Sequence, residues 1–139
     1  MQYGEECINF IIEIHTKIWT ENQYEIANIY GLELLAQEKS TIFANKLVDL
    51  TSKKIPSGRD MYDIYFYFFH EFPINQILVQ ERTGKNLREY LVYFLDFLDK
   101  KVSPETLLVG SEELLDTKKM LFIEEKLLDE LVIQVQSKI

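Results

Sequence analysis

The chain has 139 residues, 47% of them hydrophobic and 13% aromatic, which is enough to build the core of one domain. Its formal net charge of -8 excludes an overall basic field for gathering nucleic acid, but not a local basic pocket. A single cysteine, Cys7, excludes an internal disulfide and a cysteine-rich zinc site. No apolar run approaches the roughly 20 residues of a membrane span, so we expect a cytoplasmic protein without a membrane partner.

The first part of the chain has the pattern of strands. Residues 8–19 are rich in isoleucine and alternate enough to predict one strand, which contains Glu13 and His15. A second strand is predicted over residues 24–35. Two strands are marginal by themselves, and an uncovered sheet edge invites pairing with another chain. We therefore expect self-association, or association with a partner, through this edge.

From residue 39 onward the spacing of apolar residues is helical. A helix is predicted over residues 40–54, with Ser40 as its cap. The next predicted helix, over residues 57–72, is almost wholly aromatic and aliphatic but begins with charged residues. Ser57 lies three residues before Asp60, which is the spacing of a capping box with an aspartate in the reciprocal position.

The remaining predicted elements are also helical. They are helices over residues 73–84 and 85–101 separated by Gly84, a short helical turn capped by Ser103 and ended by Gly110, and a long helix over residues 111–135 capped by Ser111. The predicted fold class is α+β and mostly α: a small partial sheet followed by a helical bundle. We assign residues 1–139 to one domain, with a strand-rich segment to residue 38 and a helical part from residue 39.

Two residues outside the aromatic helix are candidates for a functional site. Glu13 would project from a strand, where a carboxylate can bind a divalent metal or take a proton; the alternative is a solvated strand face. Lys46 lies between Ile42 and Leu50 at four-residue spacing, so its ammonium group could sit beside a phosphate. The alternative for Lys46 is a surface lysine whose stem covers apolar residues.

The aromatic helix itself contributes three charged candidates. Asp60, Asp63, Tyr67 and His70 fall along one side of this helix, which makes a polar stripe on an apolar rod. The alternative role of Asp60 is the capping box. For Arg59 and Asp63 the alternative is an ion pair between residues four apart, which contributes only a few tenths of a kcal/mol.

Two segments together resemble a known family. FANKLVDL at residues 43–50, followed by GRDMYDIYFYF at residues 58–68, resembles the AbiEii/AbiGii family of bacterial nucleotidyltransferases. These are toxins of toxin–antitoxin and abortive-infection systems that act in phage defence. Their pattern is a K-L-x-A-L helix, a short loop and an R-D-x-x-D helix rich in aromatic residues. The resemblance extends over roughly residues 8–100 and implies the rear half of a nucleotidyltransferase-like fold.

The resemblance implies roles for individual residues. Lys46 matches the lysine that contacts the nucleotide phosphates, and Asp60 matches the acidic residue that supports the site from the next helix. Arg59 and Asp63 match the remaining motif positions and are expected to bind substrate. Glu13 would stand where nucleotidyltransferases place a third, metal-binding carboxylate. The family reaction uses Mg²⁺ and transfers a nucleotide from a nucleoside triphosphate to an acceptor, which is tRNA in some members.

One part of the family pattern is not found in the sequence. The catalytic core of the family begins with a G-S segment and a D-x-D pair that holds magnesium, and neither precedes Glu13. We therefore expect the chain to correspond to the carboxyl-terminal part of such an enzyme and to be inactive alone, with a cognate antitoxin as a partner. The alternative is a small acidic protein of the immunity or antitoxin type, since an acidic surface speeds capture of a basic partner.

Overall fold

The computed structural model describes residues 14, 16–108 and 117–139. Within them, an antiparallel hairpin precedes seven helices, which confirms the predicted α+β, mostly helical class. The elements are β1 (Tyr24–Ile29), β2 (Leu32–Gln37), α1 (Lys39–Ser52), α2 (Gly58–Phe69), α3 (Gln76–Thr83), α4 (Leu87–Lys101), α5 (Pro104–Leu108), α6 (Thr117–Glu125) and α7 (Leu127–Gln136).

The prediction of one strand over residues 24–35 is wrong, because the chain reverses in the middle of it. Tyr30 and Gly31 have φ values of 51° and 82° and form the turn between β1 and β2. Two-residue hairpin turns favour positive φ at both central positions, which match the twist of the flanking strands. The Asn28 side chain accepts a hydrogen bond from the Gly31 amide at 3.0 Å, so it stabilises the same turn.

The first predicted strand is wrong where it can be compared with the structure. Residues 16–19 have no regular secondary structure. Glu13 and His15 lie outside the described residues, as do all residues before Glu13.

The first helix begins earlier than predicted. The amides of Thr41 and Ile42 donate to the carbonyl of Glu38, so Glu38 is the N-cap residue and Ser40 lies inside the first turn. The predicted Ser40 cap is therefore wrong. The Ser40 carbonyl accepts instead from the Asn75 amide at 3.1 Å and so joins the start of α1 to the start of α3.

Three of the other predicted helix boundaries are confirmed by hydrogen bonds at their caps. The Ser57 hydroxyl accepts from the Asp60 amide and caps α2. Gly84 ends α3 with a φ of 73°, a left-handed conformation that glycine adopts without strain. The Ser103 hydroxyl accepts from the Thr106 amide at 3.4 Å at the start of α5, as predicted.

The long final helix is divided into α6 and α7. Lys126 has φ -130° and ψ -25°, outside the helical region, although its amide still donates to the Phe122 carbonyl. Ile123 before the break and Leu127 after it are both fully buried. The prediction of one uninterrupted helix is therefore wrong at Lys126, and its predicted start at Ser111, like Gly110, lies outside the described residues.

The hydrophobic core lies entirely within the helical part. α2 packs on α1, α5 and α7, and α4 packs on α3 and α7. Its largest fully buried side chains are Tyr90, Phe43, Phe68, Phe94, Leu47, Leu50, Met61, Ile64, Leu78, Leu91, Leu98 and Leu107. The hairpin contributes no buried residue, since all of its side chains are exposed or half-buried.

Candidate functional site

The lysine of α1 and the acidic residues of α2 meet on one face of the helical part. The Lys46 ammonium lies 2.5 Å from the Asp63 carboxylate, and both side chains are 36% exposed. One turn earlier on α2, the Asp60 carboxylate accepts from the Ser57 hydroxyl at 2.7 Å and from the Lys53 ammonium at 2.6 Å. Asp63 thus forms its ion pair with Lys46 across two helices rather than with Arg59 along one.

The charges at this junction are coupled. Burial acts to lower the pKa of Lys46, but the hydrogen bond and charge of Asp63, with smaller effects from Tyr67 and Asp60, raise it overall. Burial acts to raise the pKa of Asp60, but hydrogen bonds from Lys53 and Ser57 and the charges of Lys53 and Lys46 lower it overall. Lys46 therefore interacts with both predicted acidic residues, although its direct partner is Asp63.

A cavity of about 270 Å³ opens beside Lys46, between α1, α3 and the segment before the hairpin. It is lined by Trp19, Gln37, Ile42, Asn45, Lys46, Asp49 and Arg82. The Arg82 guanidinium donates to the Asp49 carboxylate at 2.6 Å and to the Asn45 side-chain oxygen at 2.7 Å. Its carbon atom also lies 5.2 Å from the centre of the Trp19 ring. Two cations and one large aromatic ring therefore share this cavity.

The Arg82 side chain is held tightly but not completely satisfied. It is only 11% exposed, and its Nε atom is buried with no hydrogen-bond partner in the described part of the chain. A buried donor without a partner costs free energy unless an acceptor reaches it. Arg82 is therefore a fixed positive group beside the cavity rather than a mobile surface arginine.

Sequence reasoning missed Trp19 and Arg82. Arg82 pairs with Asp49, which lies 33 positions earlier in the chain, and such a pairing has no local sequence signal. Asn45 and Asp49, four residues apart on α1, could have been noticed as a polar stripe beside Lys46. Trp19 fell inside the predicted strand and was assigned no role in a site.

Among the residues that the structure describes, the predicted site residues do not form a metal site. Glu13 lies outside the described residues, and Arg59 is exposed in the first turn of α2. No group of three or more His, Cys, Asp or Glu side chains is placed to hold a metal among residues 14, 16–108 and 117–139. Since Asp60 and Asp63 are each bound by a lysine, the described residues alone do not fit Mg²⁺.

Comparison of the chain with protein-family models, with curated proteins and with solved structures gives no match. Over the ranges that the structure describes, no helix has both the length and the apolar character needed to cross a membrane.

Proposed function

We propose that the chain is the carboxyl-terminal part of an AbiEii-like nucleotidyltransferase toxin, in which Lys46 contacts the phosphates of the nucleoside triphosphate. The complete enzyme would act in the bacterial cytoplasm and transfer a nucleotide to an acceptor such as tRNA, with a cognate antitoxin as its regulator. One observation carries the proposal. Lys46, Asp60 and Asp63, which match separate positions of the family motif, are on one face where α1 meets α2.

The ion pair is compatible with phosphate binding. A lysine ammonium has three donors, so Lys46 can keep its bond to Asp63 and donate to a phosphate oxygen as well. Asp63 raises the pKa of Lys46 and thereby favours its charged form. Asp60, bonded to Ser57 and Lys53 at the first turn of α2, would act by positioning this end of the helix. The neighbouring cavity supports the proposal, because Trp19 and Arg82 line it together with Lys46.

In the proposed enzyme, Mg²⁺ would be bound by residues other than the cluster of Lys46, Asp60 and Asp63. The family resemblance implies Mg²⁺, which supplies charge stabilisation at the transferred phosphate. The described carboxylates do not fit such an ion. We accordingly expect this chain alone not to label bulk tRNA from a radiolabelled nucleoside triphosphate in the presence of Mg²⁺. Magnesium-dependent labelling by the purified chain would contradict the proposal of an incomplete enzyme.

Phosphate binding at Lys46 can be measured directly through Trp19, the single tryptophan of the sequence. Because Trp19 lines the cavity beside Lys46, its fluorescence should change on titration with ATP. Lys46→Ala should raise the Kd for ATP at least tenfold, since a charge-assisted hydrogen bond contributes about 1.5–3 kcal/mol. Asp63→Asn should retain binding, because it removes a competing negative charge and leaves the lysine in place.

The matched control is Lys101→Ala, which removes an exposed lysine at the end of α4. It should bind ATP like the parent chain. If Lys46→Ala and Lys101→Ala bind ATP equally well, Lys46 is a surface lysine and the proposal is wrong.

A second candidate function is supported by the hairpin. An acidic binding protein of the immunity or antitoxin type would need an exposed surface for its partner. Ile26 and Leu35, which face each other across the two strands, are 72% and 74% exposed. Such a binder needs no nucleotide at Lys46. An ATP titration without any Trp19 response, combined with association that depends on Ile26 and Leu35, would favour this candidate over the first.

A further inference from the structure

A groove of about 380 Å³ runs between α2 and α6. Its aromatic lining consists of Tyr62, Tyr65, Phe66, Phe69 and Phe122. At 100° per residue, positions 62, 66 and 69 fall on a different side of α2 from positions 60, 63 and 67. His70, which continues the stripe of the latter positions, also lines the groove, but the groove shares no lining residue with the cavity at Lys46.

The aromatic rings of the groove are accessible, unlike those of the core. Phe69 is 57% exposed and Phe66 is 42% exposed, whereas Phe68 of the same helix is 1% exposed. The Tyr65 ring lies 5.1 Å from the Phe122 ring, which joins α2 to α6 under the groove. The His70 ring lies 4.2 Å from the Phe66 ring. Rings fixed in this way present flat faces that require little ordering when a ligand stacks on them.

The charge of the groove is opposite to that of the whole chain. Its lining includes Lys118, Lys119 and His70 and, within the described residues, no carboxylate, although the chain has a net charge of -8. Desolvation raises the pKa of Tyr65, and the negative charge of Glu130 on α7 adds to this rise. An anionic ligand would therefore lie toward the lysines.

We infer that this groove binds a single-stranded segment of nucleic acid, with bases stacked on Phe66 and Phe69 and phosphates beside Lys118 and Lys119. Exposed aromatic faces next to cations are the two features that such binding uses, and stacking accepts every base. A purely apolar peptide would gain nothing from the lysines. The identity of the strand as the acceptor RNA rests on the proposed function; the binding itself does not.

The test is fluorescence anisotropy with a fluorescein-labelled oligouridine of about ten nucleotides, a length within the range of known single-strand sites. Phe69→Ala should raise the Kd roughly tenfold, as expected for the loss of one stacked base. Lys119→Glu should raise the Kd by a similar factor and reduce the salt dependence of binding, because a phosphate contact is lost. Both residues are exposed, so the unfolding transition should change little.

Two matched controls separate the groove from the general surface. Ile133→Ala removes an apolar side chain of α7 that is 58% exposed, and Lys101→Glu reverses an exposed charge on α4. Both should bind the oligouridine like the parent chain. Equal binding by Phe69→Ala and Ile133→Ala would overturn the inference, and so would equal affinity for a blunt duplex of the same length. Binding of an acidic peptide but not of the oligouridine would identify a protein-docking groove instead.

Oligouridine binding, which tests the groove, can be distinguished from ATP binding, which tests the proposed function. Lys46→Ala should leave oligouridine binding unchanged, because Lys46, on α1, does not line the groove. Loss of ATP binding in that variant with retained oligouridine binding supports both proposals. Oligouridine binding without any ATP binding contradicts the proposed function and leaves the groove in place, while the reverse result contradicts the groove alone.

Discussion

The hairpin and the helical part differ in how far their apolar side chains are exposed to water. In the helical part, Leu47, Ile64 and Phe94 are completely or almost completely removed from water. In the hairpin, Ile26 and Leu35 retain nearly three quarters of their exposure, and the turn residue Tyr30 is fully exposed. The helical part therefore contains the apolar surface needed for its own stability, while the hairpin has apolar surface for which the described chain provides no cover.

Both faces of the hairpin share this property. One face carries the pair Ile26 and Leu35, and the other carries Ile29 opposite Leu32. A sheet with one face on a core normally alternates apolar and polar residues, whereas apolar residues on both faces are typical of a strand covered on both sides. The hairpin therefore carries exposed apolar side chains on both of its faces, and the predicted association through it stays a prediction.

The contrast predicts very different costs for the same chemical change. Leu47→Ala should lower the free energy of unfolding by about 3 kcal/mol, because it empties a fully buried position. Leu35→Ala should lower it by no more than about 0.5 kcal/mol, because most of this side chain is already in water. Urea unfolding of the two variants measures both values, and similar losses would show that the hairpin is part of the core.

Asn75 tests how the segment before the hairpin is joined to the helical part. Its side chain caps α3 by accepting from the Leu78 amide, and it donates to the carbonyl of Glu21 and to the hydroxyl of Thr41. Asn75→Ala should therefore cost about 2 kcal/mol, as it loses a cap and buried hydrogen bonds together. It should also make the segment before α1 more sensitive to limited proteolysis.

Asn86→Ala is the control for the Asn75 variant. Asn86 caps α4 in an exposed capping box without bonds to the hairpin segment among those the structure describes. Its loss should cost about 1 kcal/mol and leave the proteolysis of that segment unchanged. If both variants expose the segment equally, Asn75 does not hold it to the helical part.

A smaller effect is expected from the acidic end of α2. Because the pKa of Asp60 is lowered in the folded chain, its ionised form contributes stability above the ordinary value of 3.8, and this contribution is lost as the pH falls through the lowered value. Asp60→Asn should therefore reduce the loss of thermal stability on acidification below about pH 4. Glu124→Gln, at an exposed position of α6, should not. Parallel acid profiles for the parent chain and Asp60→Asn would contradict this account.

Local patterns predicted more of the fold than of the site. Ser57, Gly84 and Ser103 end or begin helices because their hydrogen bonds are made within a few residues. The hairpin turn was missed because Tyr30 adopts a positive φ that non-glycine residues seldom adopt. At the site, the motif identified Lys46, Asp60 and Asp63 as candidate residues. Arg82 and Trp19 depend on packing between distant segments, which no local pattern contains.

The proposal that the hairpin is an interface, and that the helical part is stable without its exposed side chains, is tested most directly by light scattering across a range of concentrations. The parent chain should show a mass that rises above that of one chain. The double variant Ile26→Lys with Leu35→Lys should remain a single chain with an unchanged unfolding midpoint, and Ile133→Lys should behave like the parent. A parent chain that keeps the mass of one chain at every concentration would contradict the proposal.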